Sequence, residues 1–337
     1  MRSTISIDLA ALRRNAARLL AVLDGAELWA VVKAEAYGHG ALDCARAALE
    51  SGASSLCVVT VAEGVALRRE LGEPRILVMG PHDEQELPAA REARLELAVF
   101  RHPIPEDVPV HLKLDTGMGR FGFEALPEPA PNTVALMTHF ATADSDPAFA
   151  AAQLARFRAA TDRYALPRHA ANSAAALRLP EARLDAARCG IALYGLSPFG
   201  TEPDEDGLEP VLSWRSELAR VARLEPGEST GYGRRFVATE PTWIGLVPVG
   251  YADGFRRDLT GTEVLVDGER RPAVGTVSMD SFAVELPGDL PVGTPVTIIG
   301  DGLLAEEHAR VAGTINYEVT CGIHAPAERS RREVVGA

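Results

Sequence analysis

Eight short apolar runs in series, most followed by a segment of helical periodicity, constrain this chain more than any other feature. They lie at residues 28–33, 55–60, 75–80, 95–100, 109–114, 133–138, 168–171 and 187–192. The first, Leu28-Trp29-Ala30-Val31-Val32-Lys33, shows no polar alternation, which suits a parallel strand covered on both faces. Helical spacing of apolar residues spans 8–23, 41–51, 62–71, 84–93 and 147–164, whereas the connection at 122–132 is Pro-rich and makes a weak helix at best. Eight β units with helices between most of them predict an α/β fold, an N-terminal (β/α)8 TIM-type barrel over residues 8–210. A doubly wound open sheet is the alternative.

Near residues 197–210 the pattern changes, as Pro198, Gly200, Pro203, Gly207 and Pro210 crowd an acidic connection. Beyond it, strand-like runs at 213–224, 242–249, 263–266, 281–286 and 295–299 are separated by Gly, Pro and Asp turns, with one helical segment at 303–311. These predict a second, smaller, mainly β domain over residues 211–337, with residues 1–7 as a candidate addition.

Composition narrows the partners. A chain of 337 residues, 47% apolar and 24% charged, has the make-up of a globular enzyme. Its net charge of −13 argues against nucleic acid or an anionic membrane as a partner, though not against a local basic pocket for a small anion. Cys44, Cys57, Cys189 and Cys321 lack metal-ligand spacing and read as buried, reduced thiols, and no metal is expected. No stretch reaches the ~20 apolar residues of a membrane span, and residues 1–20 lack a signal-peptide core, so the expected location is cytoplasmic.

The chemistry is concentrated where the runs end. Lys33 closes the first run, at the strand end where barrels place their active sites. Gly38 and Gly40 permit a sharp turn just beyond it, and Tyr37 can return its hydroxyl to the same mouth. A lysine desolvated there can form a Schiff base, the usual anchor of pyridoxal 5'-phosphate. Arg120, on a glycine-rich loop after the fifth run, suits a carboxylate because its planar fork donates two parallel hydrogen bonds, so its natural partner is a substrate carboxylate or the cofactor's phenolic oxygen. His139 follows the sixth run and has the chemistry to orient a tyrosine or an arginine. Asn172 or Ser173 is a natural N-cap after the seventh run, and the eighth run contributes Gly190 and Ile191. Loops at those two positions commonly hold a phosphate in barrel enzymes. Tyr232 stands between two glycines in the second domain.

The segment 28–40 closely resembles the lysine motif of the alanine racemases. Similar matches recur in order at 113–122, 137–144, 169–174, 188–195, 227–233, 248–255, 275–280 and 315–319. The resemblance implies an isomerase that interconverts L- and D-alanine on a pyridoxal 5'-phosphate aldimine, supplying D-alanine for peptidoglycan. It implies that Lys33 carries the cofactor and that Lys33 and Tyr232 are the two bases on opposite faces of the α-carbon, the economical solution for racemisation. It further implies a homodimer with active sites shared between subunits, Tyr232 coming from the partner. Arg188 takes the place beside the ring nitrogen where many pyridoxal enzymes keep an acid. An arginine cannot accept that proton, which leaves the nitrogen largely unprotonated and restrains side reactions. By the same resemblance, Arg120 and the Met279 backbone are expected to bind the substrate carboxylate, Tyr251 to narrow the entrance, and Lys113 to be open to carbamylation that holds Arg120.

The match departs in three places. Glu35 stands where many relatives carry Asn, Ser278 replaces a frequent cysteine, and no tyrosine stands near Ala325 where some relatives place one against the phosphate. Asp280 reads equally as a turn residue or as an orienting group. The rival readings are a broad-specificity or basic amino-acid racemase on the same scaffold, a non-catalytic pyridoxal-phosphate carrier, and a decarboxylase, which would call for an acid instead of Arg188.

Overall fold

The structure, a computed structural model, describes residues 2–324 and 326–336. Strand β1 (Ser3–Asp8) is followed by β2 (Glu27–Val31), β3 (Ser55–Val58), β4 (Arg75–Val78), β5 (Glu96–Val99), β6 (Val110–Lys113), β7 (Thr133–Met137), β8 (Arg168–His169) and β9 (Ala186–Cys189). Strands β2 to β9 close into a parallel barrel. Pairing of β9 back onto β2, from Glu27 opposite Ala186 to Ala30 opposite Cys189, excludes the open sheet.

The apolar runs are strands because both of their faces are covered. Every residue of β3, β6 and β9 is buried, as expected where one face fills the barrel and the other meets helices. Helices Ala41–Glu50, Val61–Leu71, Leu87–Glu92, Pro147–Thr161 and Ser173–Arg178 lie between strands, and the Pro-rich connection after β6 has none. Thr60 and Glu63 form a capping box that starts the Val61–Leu71 helix.

The second unit consists of residues 1–11 and 210–337, the barrel unit of residues 12–209. Its strands are β10 (Leu212–Glu217), β11 (Arg220–Leu224), β12 (Ser229–Thr230), β13 (Phe236–Val237), β14 (Thr242–Val247), β15 (Glu263–Val266), β16 (Glu269–Val274), β17 (Phe282–Leu286), β18 (Pro295–Ile299) and β19 (Ser330–Val335). Eight of them and β1 form one sheet in the order β11-β14-β17-β16-β15-β18-β10-β1-β19. Strand β1 alternates buried Ser3, Ile5 and Ile7 with partly exposed residues and pairs with both β10 and β19.

Several details differ from the sequence expectation. The run 213–224 is two strands interrupted at Leu218 and Ala219, and the helix at 303–311 is Ala305–Ala312, followed by a second helix, Asn316–Cys321. Strand β16 carries Glu269, Arg270, Arg271 and Pro272, so no apolar run marks it. It is set by the Asp267-Gly268 turn, both residues at positive φ (51° and 80°), which folds it back on β15. Three of the cysteines are buried as expected, but Cys321 is exposed.

Candidate active site

Lys33 stands two residues past the end of β2. The four residues after it, Ala34, Glu35, Ala36 and Tyr37, have φ of 50°, 52°, 52° and 58°, forming one turn of left-handed helix that Gly38 terminates at φ 87°. Each non-glycine residue in this conformation costs ~1–2 kcal/mol, so tertiary contacts must hold it. Glu63 provides one, accepting from Ala34 N at 2.8 Å while its other oxygen accepts from Val59 N and Thr60 N. The Glu35 carboxylate accepts from Ala41 N at 3.1 Å, serving the start of the next helix. The turn swings the Tyr37 ring to 5.9 Å from Lys33 Nζ. Its hydroxyl lies so close to Gly190 that a Cβ there would sit 2.4 Å away, so glycine is required by close approach.

Lys113 is the last residue of β6, yet it is only 5% exposed. Burial, then the charges of Arg188 and Arg120, push its ammonium down to about 8. Arg120 is exposed on a loop organised by Asp115, which accepts from the backbone N of Gly117, Met118 and Gly119. His139 follows β7. Desolvation, then Arg188, Lys113, Arg120 and Lys33 in turn, hold its proton affinity well below the usual imidazole range. The barrel thus brings Lys33, Lys113, Arg120 and Arg188 to one mouth, an anion-seeking arrangement in an acidic chain.

Arg188 projects from β9 and is 3% exposed. Its Nη2 donates to Thr138 O at 2.8 Å, Ala170 O at 3.1 Å and His139 Nδ1 at 3.2 Å, and its Nη1 donates to His169 O at 3.0 Å and His169 Nδ1 at 2.5 Å. Both terminal nitrogens are committed to the barrel wall. Burial lowers the guanidinium to about 10, which still leaves it charged at neutral pH.

Asn172, not Ser173, is the N-cap of the Ser173–Arg178 helix, its Oδ1 accepting from Ala175 N at 3.0 Å. The buried Ser173 hydroxyl instead accepts from Gly190 N at 3.1 Å and Ala192 N at 3.4 Å, joining the loops after β8 and β9 on either side of Ile191.

The β unit carries the remaining predicted residues on adjoining turns. Tyr232 is 73% exposed between Gly231 and Gly233, both at positive φ, and Thr276 Oγ1 donates to its carbonyl at 2.8 Å. Tyr251 N donates to Ser278 O at 3.1 Å and Ala252 N to Met279 O at 3.0 Å, with Tyr251 and Met279 both exposed. Asp280 is paired with Arg329 at 2.7 Å, which also binds the buried Asp253. Ala325 lies outside the described residues.

Residues 7–198 match the family description "Alanine racemase, N-terminal domain", and residues 211–331 match "Alanine racemase, C-terminal domain". The chain belongs to the alanine racemase family. A curated alanine racemase of Listeria innocua is 40% identical, with 94% of each chain aligned. Solved alanine racemases of E. faecalis and Streptomyces coelicolor superpose with TM-scores of 0.91 at 36% and 37% identity, covering 99% and 100% of this chain and 98% of theirs.

Alanine racemases are pyridoxal-phosphate-dependent isomerases, and the barrel mouth fits that cofactor. A lysine at a strand end, a cleft edge where any side chain at 190 would collide with Tyr37, and a buried serine hydroxyl beside a helix start are what a phosphorylated pyridine aldehyde needs. Among the described residues no helix is long and apolar enough to cross a membrane. Sequence reasoning assigned no role to Glu63, His111, Glu96 or His169. The Thr60-x-x-Glu63 spacing was a readable signal for the first of these. The others carry no local signature.

Proposed function

We propose that the barrel mouth interconverts L- and D-alanine by a two-base mechanism, the observation that carries it being the convergence of Lys33, Lys113, Arg120 and Arg188 around His139. Pyridoxal 5'-phosphate, held at rest on the Lys33 amine and passed to the substrate amine for the reaction, which leaves Lys33 free, would supply an electron sink for the pair left at the substrate α-carbon. Tyr37, Asn172, Ser173, Gly190 and Ile191 would hold it, the loops after β8 and β9 offering their N–H groups to its phosphate. Residues 8–210 serve as its binding domain and 211–337 as the domain bearing the second base. Arg120 and the Met279 backbone bind the substrate carboxylate, and Tyr251 limits side-chain size.

Tyr232 of the partner subunit takes the α-proton of L-alanine at its phenolic oxygen, and Lys33 Nζ returns a proton to the opposite face. His139 accepts from Arg188 at Nδ1 and therefore keeps its proton on Nε2, available to the Tyr232 oxygen. Lys113, as a carbamate, converts a poorly solvated cation into an anion that holds Arg120. The active enzyme is a homodimer in the cytoplasm, and its D-alanine enters peptidoglycan.

Deuterium wash-in at the α-carbon in D2O, with circular dichroism in parallel, tests this on wild type and Tyr232→Phe. We expect α-deuterium and loss of optical activity with L-alanine, and collapse of the L-to-D direction in the variant. A protein that binds the cofactor and exchanges no α-proton of alanine, serine or lysine is a carrier, and the proposal fails.

A further inference from the structure

Beneath the mouth, the barrel interior holds a row of polar side chains that the mechanism above does not use. Arg188 Nη1 meets His169 Nδ1 at 2.5 Å. His169 Nε2 lies 2.8 Å from His111 Nδ1, and His111 Nε2 lies 2.7 Å from Glu96 Oε2. Glu96 then accepts from Arg75 Nε at 3.0 Å and Arg75 Nη2 at 2.9 Å. The row draws on β9, β8, β6, β5 and β4, and Glu96 and Arg75 are the first residues of their strands, so it runs from the mouth to the opposite rim. Both imidazoles are fully buried. The Trp29 ring packs against them, 4.4 Å from His169 and 5.7 Å from His111 between ring centres, and shields both imidazoles, while Glu96 and Arg75 meet solvent at the rim.

Donor chemistry permits one proton assignment. A guanidinium only donates and a carboxylate only accepts. His169 Nδ1 must therefore be bare, and His111 Nε2 must carry a hydrogen. If His169 holds its single proton on Nε2, it donates to a bare His111 Nδ1, and every contact contains one hydrogen. A second proton on His169 would face the Arg188 N–H, and a second proton on His111 would face the His169 N–H. Burial lowers the proton affinity of both rings, in keeping with two neutral imidazoles. Burial raises the Glu96 carboxyl, but hydrogen bonds from His111 and Arg75 outweigh it and hold the acid ionised, at about 2.

We propose that Glu96 is a positioning residue for Arg188: as terminal acceptor it holds His111 and His169 as neutral Nε2–H tautomers, so that a bare His169 Nδ1 fixes the guanidinium beside the cofactor's ring nitrogen. This rests on the placement of Arg188 next to that nitrogen that the family resemblance implies, and on the proposed function. Without Glu96 the His111 Nε2–H is a buried donor with no acceptor. His111 then gains by moving its proton to Nδ1 and donating toward His169, which drives the His169 proton to Nδ1, against Arg188. A defect at the far rim therefore reaches the mouth through two ring tautomers.

The test labels histidine side chains with nitrogen-15 in the full-length holoprotein and reads tautomers by long-range proton–nitrogen correlation at neutral pH. In wild type, His111 and His169 are each expected as a single Nε2–H tautomer. Glu96→Met removes the acceptor: a second tautomer should emerge on both rings, the cofactor absorbance band should move, and kcat should fall about tenfold, with KM for alanine within about twofold. Glu96→Gln keeps an amide oxygen to accept from His111 and should retain the wild-type tautomers and band. An Nδ1–H or doubly protonated His111 or His169 in wild type overturns the proposal. So does a folded Glu96→Met protein whose tautomers, band and kcat are unchanged. If Glu96→Met does not fold, the wild-type and Glu96→Gln spectra decide, because loss of the Nε2–H tautomers with the amide in place is also fatal. If the protein binds no pyridoxal phosphate, the tautomers are still read on the protein alone, and it is the proposed function that fails.

Discussion

Arg188 donates from Nη2 to His139 Nδ1 at 3.2 Å, and this contact fixes which nitrogen of His139 carries its proton. A guanidinium cannot accept, so a neutral His139 is an Nε2–H tautomer. Burial first, and then this fixed positive charge beside the ring, keep the imidazole uncharged at neutral pH.

Acid should destabilise the fold from about pH 6.5 downward. His111, His139, His169 and His308 all bind protons less readily than the ordinary 6.5, chiefly through burial. Below that pH the unfolded chain takes up more protons than the folded one. The stability present above it is therefore lost as the pH falls, by ~1.4 kcal/mol per pH unit for each such ring. Urea midpoints should drop clearly between pH 7 and about pH 5.5. Equal midpoints would mean that the rings titrate normally in the native protein.

Lys113 should carry a charge penalty that carbamylation relieves. Its fall from 10.5 to about 8 corresponds to about 3 kcal/mol at ~1.4 kcal/mol per pH unit. Because the folded value is the lower one, the penalty is complete below pH 8 and disappears as the pH rises toward 10.5. In buffer freed of carbon dioxide, Lys113→Met should be more stable than wild type at neutral pH, with a difference that shrinks in alkali. Added bicarbonate should stabilise wild type and leave the variant unmoved, and carbon-13 bicarbonate should give a carbamate signal only in wild type.

The left-handed turn predicts an unusual response to glycine. Ala34 is exposed, at φ 50°, and glycine adopts that conformation without the Cβ penalty. Ala34→Gly should therefore stabilise by about 1 kcal/mol, although glycine usually destabilises helical segments. Denaturant titration that found the ordinary loss would contradict a left-handed turn at this site.

Gly190 predicts the reverse. A Cβ there lies 2.4 Å from the Tyr37 hydroxyl and 2.7 Å from its ring carbon, so Gly190→Ala must displace Tyr37. A loss of about 1–3 kcal/mol is expected for this overpacking, with weaker cofactor binding by fluorescence titration. Adding Tyr37→Leu should recover most of the stability and none of the affinity. Additive losses in the double variant would show that the two residues do not meet.

Much of this architecture was legible because its signals are local. Each barrel strand overlaps one of the eight apolar runs, β2 and β9 starting one residue before theirs, and the capping box at Thr60 and Glu63 is a spacing of three. In the β unit, the run 213–224 hid two strands because Leu218 and Ala219 are as apolar as their neighbours. Strand β16 was missed because Arg270 and Arg271 break the pattern that the Asp267-Gly268 turn restores. Lys33, Lys113, Arg120, His139 and Arg188 could be named from strand ends and motif resemblance, but not the order of their charges around His139.

By itself, the sequence determined the barrel, the succession of loops at its mouth and the residue types that meet there, since periodicity, turns and capping act over a few positions. Only the tertiary structure decided the left-handed turn after Lys33, the close approach of Tyr37 to Gly190, and the proton order along Arg188, His169, His111 and Glu96. Those partners stand 19, 58 and 15 positions apart in successive contacts. Which nitrogen donates depends on what the folded chain places opposite it, and no local pattern carries that information.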